Sequence, residues 1–429
     1  QTARSWQDMA DIVQPTNIDV IDQDHRKIIE LTLELSNVLH GDKIDLKKIQ
    51  AQSAALENLY TYAEYHFQRE ERLIEQFGLP YGDKQKKQHH DLLQHLRGAI
   101  GDFEQGRLTA LLNLKSAILD WWVTHFNEVD YLTFNQEGMT ERIIRSADSW
   151  EALQDIVKSV GILDLDAEHR QLAVLALWFL QDARQGGATQ ENRYLALYQA
   201  AEAHFRHEEA LIASHGLPDL ERHKTLHDGL LATLRAWVDA WEQGDHVVSV
   251  ESLQVILIWW ITHINEVDAP FFSAERVSRH VFTRVSQWDE FRIFLRFTGV
   301  AEVDYDHEII TSLMLRIDQP TVVASADATD DVKLKQWLVF FDTMIDVVRK
   351  HFAEEQKLMA EHRLPLSKIH CNEHARFLQL MLGYRENIAH GRMLISAVFK
   401  QHILDWWVEH VNQFDYPTFS VLKLDDDLF

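Results

Sequence analysis

The chain has 429 residues, with 42 basic and 67 acidic side chains for a formal net charge of −25, and it contains one cysteine. One cysteine excludes an intramolecular disulfide, and the acidic excess argues against nucleic acid as a partner, because phosphate binding needs a basic face. The sequence shows no apolar run of about 20 residues and no basic and apolar leader, so we expect a cytoplasmic protein without membrane association.

Histidines and carboxylates form a defined series in the first third of the chain. A first histidine is followed by a His-x-x-x-Glu motif, a further histidine and a final His-x-x-x-x-Asp motif. These residues are His25, His66, Glu70, His89, His125 and Asp130. A series that mixes imidazoles and carboxylates at fixed offsets predicts a metal site.

The middle third repeats this series and replaces the single third-piece histidine by a His-x-x-x-His motif. The residues are His169, His204, Glu208, His223, His227, His263 and Asp268. Apolar residues recur here every three or four positions, and the whole chain has only 7 prolines. We therefore predict helices over residues 166–184, 190–214, 220–243 and 249–268, joined by short loops into an up-down-up-down four-helix bundle.

The last third contains the series a third time. The residues are His307, His351, Glu355, His370, His374, His410 and Asp415. The interval from the glutamate to the last histidine is 55 residues in every copy, and a fixed period of this kind indicates tandem domains. The sequence thus predicts an all-α protein of three tandem four-helix bundles, covering residues 1–148, 149–286 and 287–429, each with a metal site in its core.

Helical geometry explains most of the spacing. Residues four apart lie on one helix face, so His204 and Glu208 point in the same direction, as do the two histidines of the His-x-x-x-His motif. His263 and Asp268 are five apart and would lie roughly 140° apart on an ideal α-helix. The pattern therefore requires a stretched or irregular turn at the end of the fourth helix.

The predicted donors indicate the type of metal site. Imidazoles and carboxylates without thiolates suit iron, copper, zinc or manganese, and five histidines with two carboxylates exceed the needs of one tetrahedral zinc. Two octahedral ions that share both carboxylates and one solvent oxygen would have all but one coordination position filled. A small diatomic molecule such as O2 is the expected ligand of that position.

The four pieces in this order resemble the hemerythrin family, and the resemblance covers nearly the whole chain three times. It implies a non-haem centre of two iron ions per domain, with O2 as the ligand. The first two histidines of a repeat would hold the O2-binding iron, the later histidines would hold the second iron, and the glutamate and aspartate would bridge them. In the middle repeat these groups are His169 and His204, then His223, His227 and His263, and finally Glu208 and Asp268.

The first repeat departs from the family pattern at one ligand position. Gln85 stands fifteen residues after Glu70, where the other repeats have a histidine, and His89 is then the equivalent of His227. His90 and His95 are substitutes if the helix is shifted. Because glutamine is a poor iron ligand, we expect weaker metal retention or faster oxidation in this repeat.

Three further features lead to structural expectations. The Trp-Trp pair before each last histidine should split, with one ring in the core near the metals and one on the side of the bundle. The residue after that histidine is Phe126, Ile264 or Val411, and either forms a wall of the ligand pocket or is ordinary core. Segments near 132–149 and 270–287 should be partly helical connectors that pack successive bundles together.

The leading functional hypothesis is reversible O2 binding for storage, delivery or scavenging in a bacterium. One alternative is an oxygen or redox sensor that an unknown protein partner reads, although no output segment is visible. Another is a di-iron enzyme that acts on peroxide or nitric oxide. The histidine-rich ligand set favours a carrier over an enzyme, because carboxylate-rich centres are typical of di-iron oxidases.

Overall fold

Long helices dominate the part of the chain that the computed structural model describes, which comprises residues 5–35, 46–107, 114–185, 193–244, 249–319 and 330–422. Two compact units are present, residues 1–158 and 159–429. The four long helices of the first unit are Asp19–Glu34, Leu46–Phe77, Gly82–Glu104 and Leu114–His125. They form one bundle in which the first helix packs on the second and on the fourth, and the second packs on the third.

The second unit contains two bundles. The helices of the second bundle are Leu163–Arg184, Arg193–Ser214, Leu220–Glu242 and Val250–His263. Those of the third bundle are Ala301–Leu315, Asp330–His362, Ser367–Ala389 and Ala397–His410. The predicted all-α fold of three tandem four-helix bundles is confirmed. Residues 190–192 of one predicted helix lie outside the described residues.

Local sequence signals set the helix ends. Ser249 and Ser396 cap the fourth helices of the second and third bundles, and their hydroxyls accept backbone hydrogen bonds at 3.1 and 3.2 Å. The second helix of the second bundle is followed by Gly216 with φ of +62°, the left-handed conformation that glycine adopts at low cost. Arg363 takes the same conformation at the equivalent point of the third bundle, with φ of +52°.

The second and third bundles share a continuous apolar core. It runs from residues of the second bundle, such as Ile212, through Phe282 and Phe291 to Trp337 and Trp407 of the third bundle. The segment between the bundles contains the helices Ala269–Phe271 and Ala274–Val277 and a π-helical turn, Ser278–Phe282. The expected helical connector at 270–287 is thus confirmed, and it packs the two bundles together.

The connector near 132–149 is also partly helical, since it contains the helix Met139–Ser146. The predicted domain boundaries after residues 148 and 286 stay predictions. Among the described helices, none combines the length and apolar character needed to cross a bilayer.

Candidate metal centres

A π-helical turn follows the fourth helix of every bundle. It accounts for the five-residue spacing between the last histidine and the aspartate of each repeat. The turns are Phe126–Asp130, Ile264–Asp268 and Val411–Asp415. Because a π-turn closes its hydrogen bond over five residues, it brings the last histidine and the aspartate onto one face. The histidine and aspartate then approach closely, with 3.1 Å between His263 Nε2 and Asp268 Oδ1. The predicted irregular turn is confirmed.

In the third bundle, Asp415 faces two groups of histidines with its two oxygens. Its Oδ1 lies 2.7 Å from His370 Nε2 and 3.0 Å from His410 Nε2. Its Oδ2 lies 3.0 Å from His307 Nε2. Asp415 is fully buried, so one carboxylate stands between imidazoles that come from three different helices.

Glu355 belongs to the same cluster, and its two oxygens also face different histidines. Its Oε2 is 3.0 Å from His374 Nε2, and its Oε1 is 3.5 Å from His351 Nε2. The ligand atoms thus form two groups that share both carboxylates, and within each group all atoms lie within 4.8 Å. We call the group with the first two histidines of a repeat the two-histidine position, and the group with the later histidines the three-histidine position.

The second bundle brings its predicted residues together in a similar arrangement. Asp268 Oδ1 is 3.2 Å from His223 Nε2, and Asp268 Oδ2 is 3.6 Å from His169 Nε2. Glu208 Oε2 is 3.4 Å from both His204 Nε2 and His227 Nε2. All these side chains are buried, and they come from all four helices of the bundle.

The first bundle has a complete two-histidine position, formed by His25, His66, Glu70 and Asp130. Its three-histidine position keeps the pair His89 and His125 beside Glu70. His89 Nε2 is 3.2 Å from Glu70 Oε2, and His125 Nε2 is 3.1 Å from Asp130 Oδ1.

Gln85 occupies the place of the missing histidine. It is fully buried, and its Nε2 donates to Asp130 Oδ1 at 2.8 Å, the contact that His370 makes with Asp415 in the third bundle. His90 and His95, the proposed substitutes, are both exposed. The helix is therefore not shifted, and Gln85 is the side chain that faces the centre.

The donors fit a bound metal ion. The Nε2 atom of every histidine predicted to bind metal is buried, and each of them except that of His223 has no hydrogen-bond partner among the described residues. Buried polar atoms normally have partners, and unpaired buried carboxylates cost free energy unless a cation is present. Orphaned imidazole and carboxylate atoms that converge within 4.8 Å provide the donors that divalent first-row transition metals prefer.

Mutual contacts also set the ionisation of these groups. Burial alone lowers the pKa of His25, but the nearby carboxylates of Asp130 and Glu70, which favour the charged imidazole, outweigh burial and raise this pKa to about 9. Burial and the nearby Asp130 raise the pKa of Glu70, yet the surrounding imidazoles lower it to about 2. The carboxylate of Glu70 is therefore ionised at neutral pH, as metal binding requires.

Sequence reasoning did not assign the carboxylates that orient the second histidine of each repeat. His66 Nδ1 is 3.2 Å from Asp24, His204 Nδ1 is 2.8 Å from Glu168 and His351 Nδ1 is 3.3 Å from Asp306. Each acid directly precedes the first histidine of its repeat, which is the signal that would have found them. Such contacts fix the ring and leave Nε2 free to bind a metal.

The third-helix histidines have partners of a similar kind. His89 Nδ1 is 2.9 Å from Glu71, and His227 Nδ1 is 3.0 Å from Glu209. Both acids follow the buried glutamate of the His-x-x-x-Glu motif by one residue. One turn of the second helix therefore supplies a central carboxylate and a supporting one.

The tryptophan pairs divide as expected. Trp122, Trp260 and Trp407 are buried, and the preceding tryptophan is half-buried in each bundle. The half-buried ring stacks on the last histidine, with ring centroids 4.8 Å apart for Trp259 and His263. The buried ring contacts the first histidine in the second and third bundles. Both tryptophans therefore restrict the motion of the imidazoles that they touch.

Comparisons with known proteins agree with this geometry. The family model described as the hemerythrin HHE cation binding domain matches residues 16–136 and 160–274. The chain is 28% identical over 131 residues to a bacteriohemerythrin from Ralstonia nicotianae, which is 30% of this chain and 84% of the relative. It is 33% identical over 125 residues to one from Stenotrophomonas maltophilia, which is 29% of this chain and 75% of the relative. No solved structure matches the chain.

Proposed function

The chain belongs to the hemerythrin family, and on that premise we propose that each of its three bundles holds a pair of iron ions and binds O2 reversibly. The observation that carries the proposal is the sharing of two buried carboxylates between two groups of imidazoles. When bound, a pair of ferrous ions would supply electrons and an open coordination position to O2. Three centres in one chain favour a role in storage, delivery or scavenging, where capacity matters.

The residues divide into roles by their positions. In the second bundle, His169 and His204 would hold the O2-binding iron, and Glu208 and Asp268 would lie between the two ions. The remaining ligands of that bundle are His223, His227 and His263. In the third bundle the same roles fall to His307 and His351, to Glu355 and Asp415, and to His370, His374 and His410.

The protein environment also supports reversible binding. All of these ligands are buried, and a buried tryptophan lies against the two-histidine position of the second bundle, with ring centroids of Trp260 and His169 5.5 Å apart. Such apolar packing excludes water from the two-histidine position, as reversible binding of a small gas requires. A pathway for a large substrate is not required, since the ligand is a diatomic gas.

Metal analysis with a cycle of oxygen exposure tests this function. The full chain, expressed with ample iron, should contain roughly six irons when two occupy each bundle. After anaerobic reduction, O2 should produce visible absorption that disappears when O2 is removed and returns over repeated cycles. Irreversible bleaching with release of a product would favour the enzyme alternative, and purified protein without iron would contradict the proposal.

Glu168→Leu should weaken metal binding in the second bundle by about 10–100-fold, because His204 loses the acceptor for its Nδ1 hydrogen bond. The measurement is competition for iron with a chelator, followed by metal analysis. Glu168→Gln keeps an acceptor oxygen and should lose much less affinity. Asp164→Asn changes an exposed acid on the same helix and serves as the control. Equal iron affinity in Glu168→Leu and the control would contradict this role.

A further inference from the structure

The residue after the last histidine differs in size between the bundles. Phe126, Ile264 and Val411 occupy this position, and all three are fully buried. The ring of Phe126 stacks on His25, with centroids 3.7 Å apart and planes 18° apart, and it meets His66 edge-on at 6.3 Å. Phe126 therefore covers both imidazoles of the two-histidine position, where the other bundles have a smaller aliphatic side chain.

Phe126 changes the contact between the buried tryptophan and the first histidine of its bundle. The buried tryptophan contacts the first histidine directly in the third bundle, where Trp407 lies 5.5 Å from His307. In the first bundle, Phe126 stacks on Trp122 at 5.3 Å and on His25 at 3.7 Å. The phenyl ring is thus inserted between the tryptophan and the histidine.

The three buried tryptophans also differ in their hydrogen bonding. Trp407 Nε1 donates to Thr311 Oγ1 at 2.8 Å, and Trp260 Nε1 donates to the carbonyl of His169 at 3.4 Å. Trp122 Nε1 is buried without a hydrogen-bond partner among the described residues. An unpaired buried N–H costs free energy, so Trp122 is less favourably placed in this respect than Trp260 and Trp407.

The three-histidine position of the first bundle has one imidazole fewer than in the other bundles, because Gln85 replaces a histidine. This position is therefore less fully occupied by strong ligands, whereas the two-histidine position is more closely covered. Gln85 donates through Nε2 to Asp130 and Thr133, at 2.8 and 3.2 Å. Its Oε1 is buried without a hydrogen-bond partner among the described residues. A neutral amide that already binds two oxygens is a weaker and more easily displaced ligand than the histidine it replaces.

From these two differences we infer that the first bundle binds its exogenous ligand at the three-histidine position, beside Gln85, and that Phe126 closes the two-histidine position. The inference rests on the proposed function, because it requires a metal pair in the first bundle. The ligand class is a small diatomic molecule or a linear anion such as azide. In the first bundle the three-histidine position would thus bind the exogenous ligand, a role that falls to the two-histidine position in the other bundles.

Azide titration of a full chain with a single intact centre tests the inference. Glu208→Ala and Glu355→Ala together remove the shared carboxylates of the second and third bundles, so azide absorption then reports on the first bundle. Gln85→His supplies the missing imidazole and should reduce azide affinity by about tenfold or more, while iron content is unchanged. Adding Phe126→Val to Gln85→His should restore the affinity.

The third bundle offers the reciprocal experiment. In a full chain in which Glu70→Ala and Glu208→Ala leave only that centre, Val411→Phe should weaken azide binding by about tenfold. Adding His370→Gln to Val411→Phe should restore it. Iron content is measured in every variant, so that a lost ion is not mistaken for a blocked position.

Each possible result distinguishes the inference from the function on which it rests. If Gln85→His leaves azide affinity unchanged, or if Phe126→Val alone increases it more than tenfold, the exchange of roles is wrong. Iron-free first bundles in an otherwise iron-loaded chain would also overturn it. If no bundle binds iron, the proposed function itself fails.

Discussion

Glu208→Ala will remove the metal centre of the second bundle alone, and the purified chain will contain about a third less iron than the parent protein. Glu208 Oε1 is 2.8 Å from His223 Nε2, and its Oε2 is 3.4 Å from His204 Nε2. The same carboxylate therefore faces both metal positions. Its replacement by a methyl group removes one negative charge and a ligand from each position at once, so both ions should be lost together.

The matched control for this substitution is Glu202→Ala, on the same helix. Glu202 forms a surface ion pair with Arg206 at 2.6 Å, and such pairs contribute about 0.3–0.5 kcal/mol to stability. This control should retain the iron content of the parent. Each bundle has its own set of ligands, so the first and third centres should keep their visible absorption in Glu208→Ala. Loss of iron from all three bundles would contradict independent centres.

Trp407→Ala will destabilise the metal-free protein by about 3–5 kcal/mol, because a large fully buried side chain leaves a cavity that the bundle cannot close. Trp407 is 0% exposed, and its rings pack on His307 and His351 with centroids 5.5 and 6.1 Å away. The substitution also removes the hydrogen bond from its indole to Thr311 and leaves that hydroxyl buried with one contact fewer.

Urea unfolding followed by circular dichroism measures this effect, in the presence of a chelator because bound metal would add its own stabilisation. The transition of interest belongs to the unit of residues 159–429, in which the second and third bundles share a core. Trp178→Ala is the control, since Trp178 is 60% exposed and its loss should change stability by less than about 0.5 kcal/mol. Equal unfolding midpoints for the two variants would refute the assigned packing role.

The sequence determined the bundles and the residues that meet inside them. Helical periodicity is local, so the spacing of His204 and Glu208, or of His223 and His227, places each pair on one face without knowledge of distant contacts. The repeated 55-residue interval then predicted which helices must converge. Even the irregular last turn followed from the sequence, since a five-residue spacing cannot place His263 and Asp268 on one face of an α-helix.

The tertiary structure decided the features that depend on packing between residues far apart in sequence. The contact of Asp24 with His66, the burial of Gln85 against Asp130 and the insertion of Phe126 between Trp122 and His25 each join different helices or set a side-chain position within the core. The shared core of the second and third bundles is likewise a matter of surface fit between elements. The spacing of residues along a helix determines which face a side chain occupies. Its contacts with other helices depend on how those helices pack in the same space.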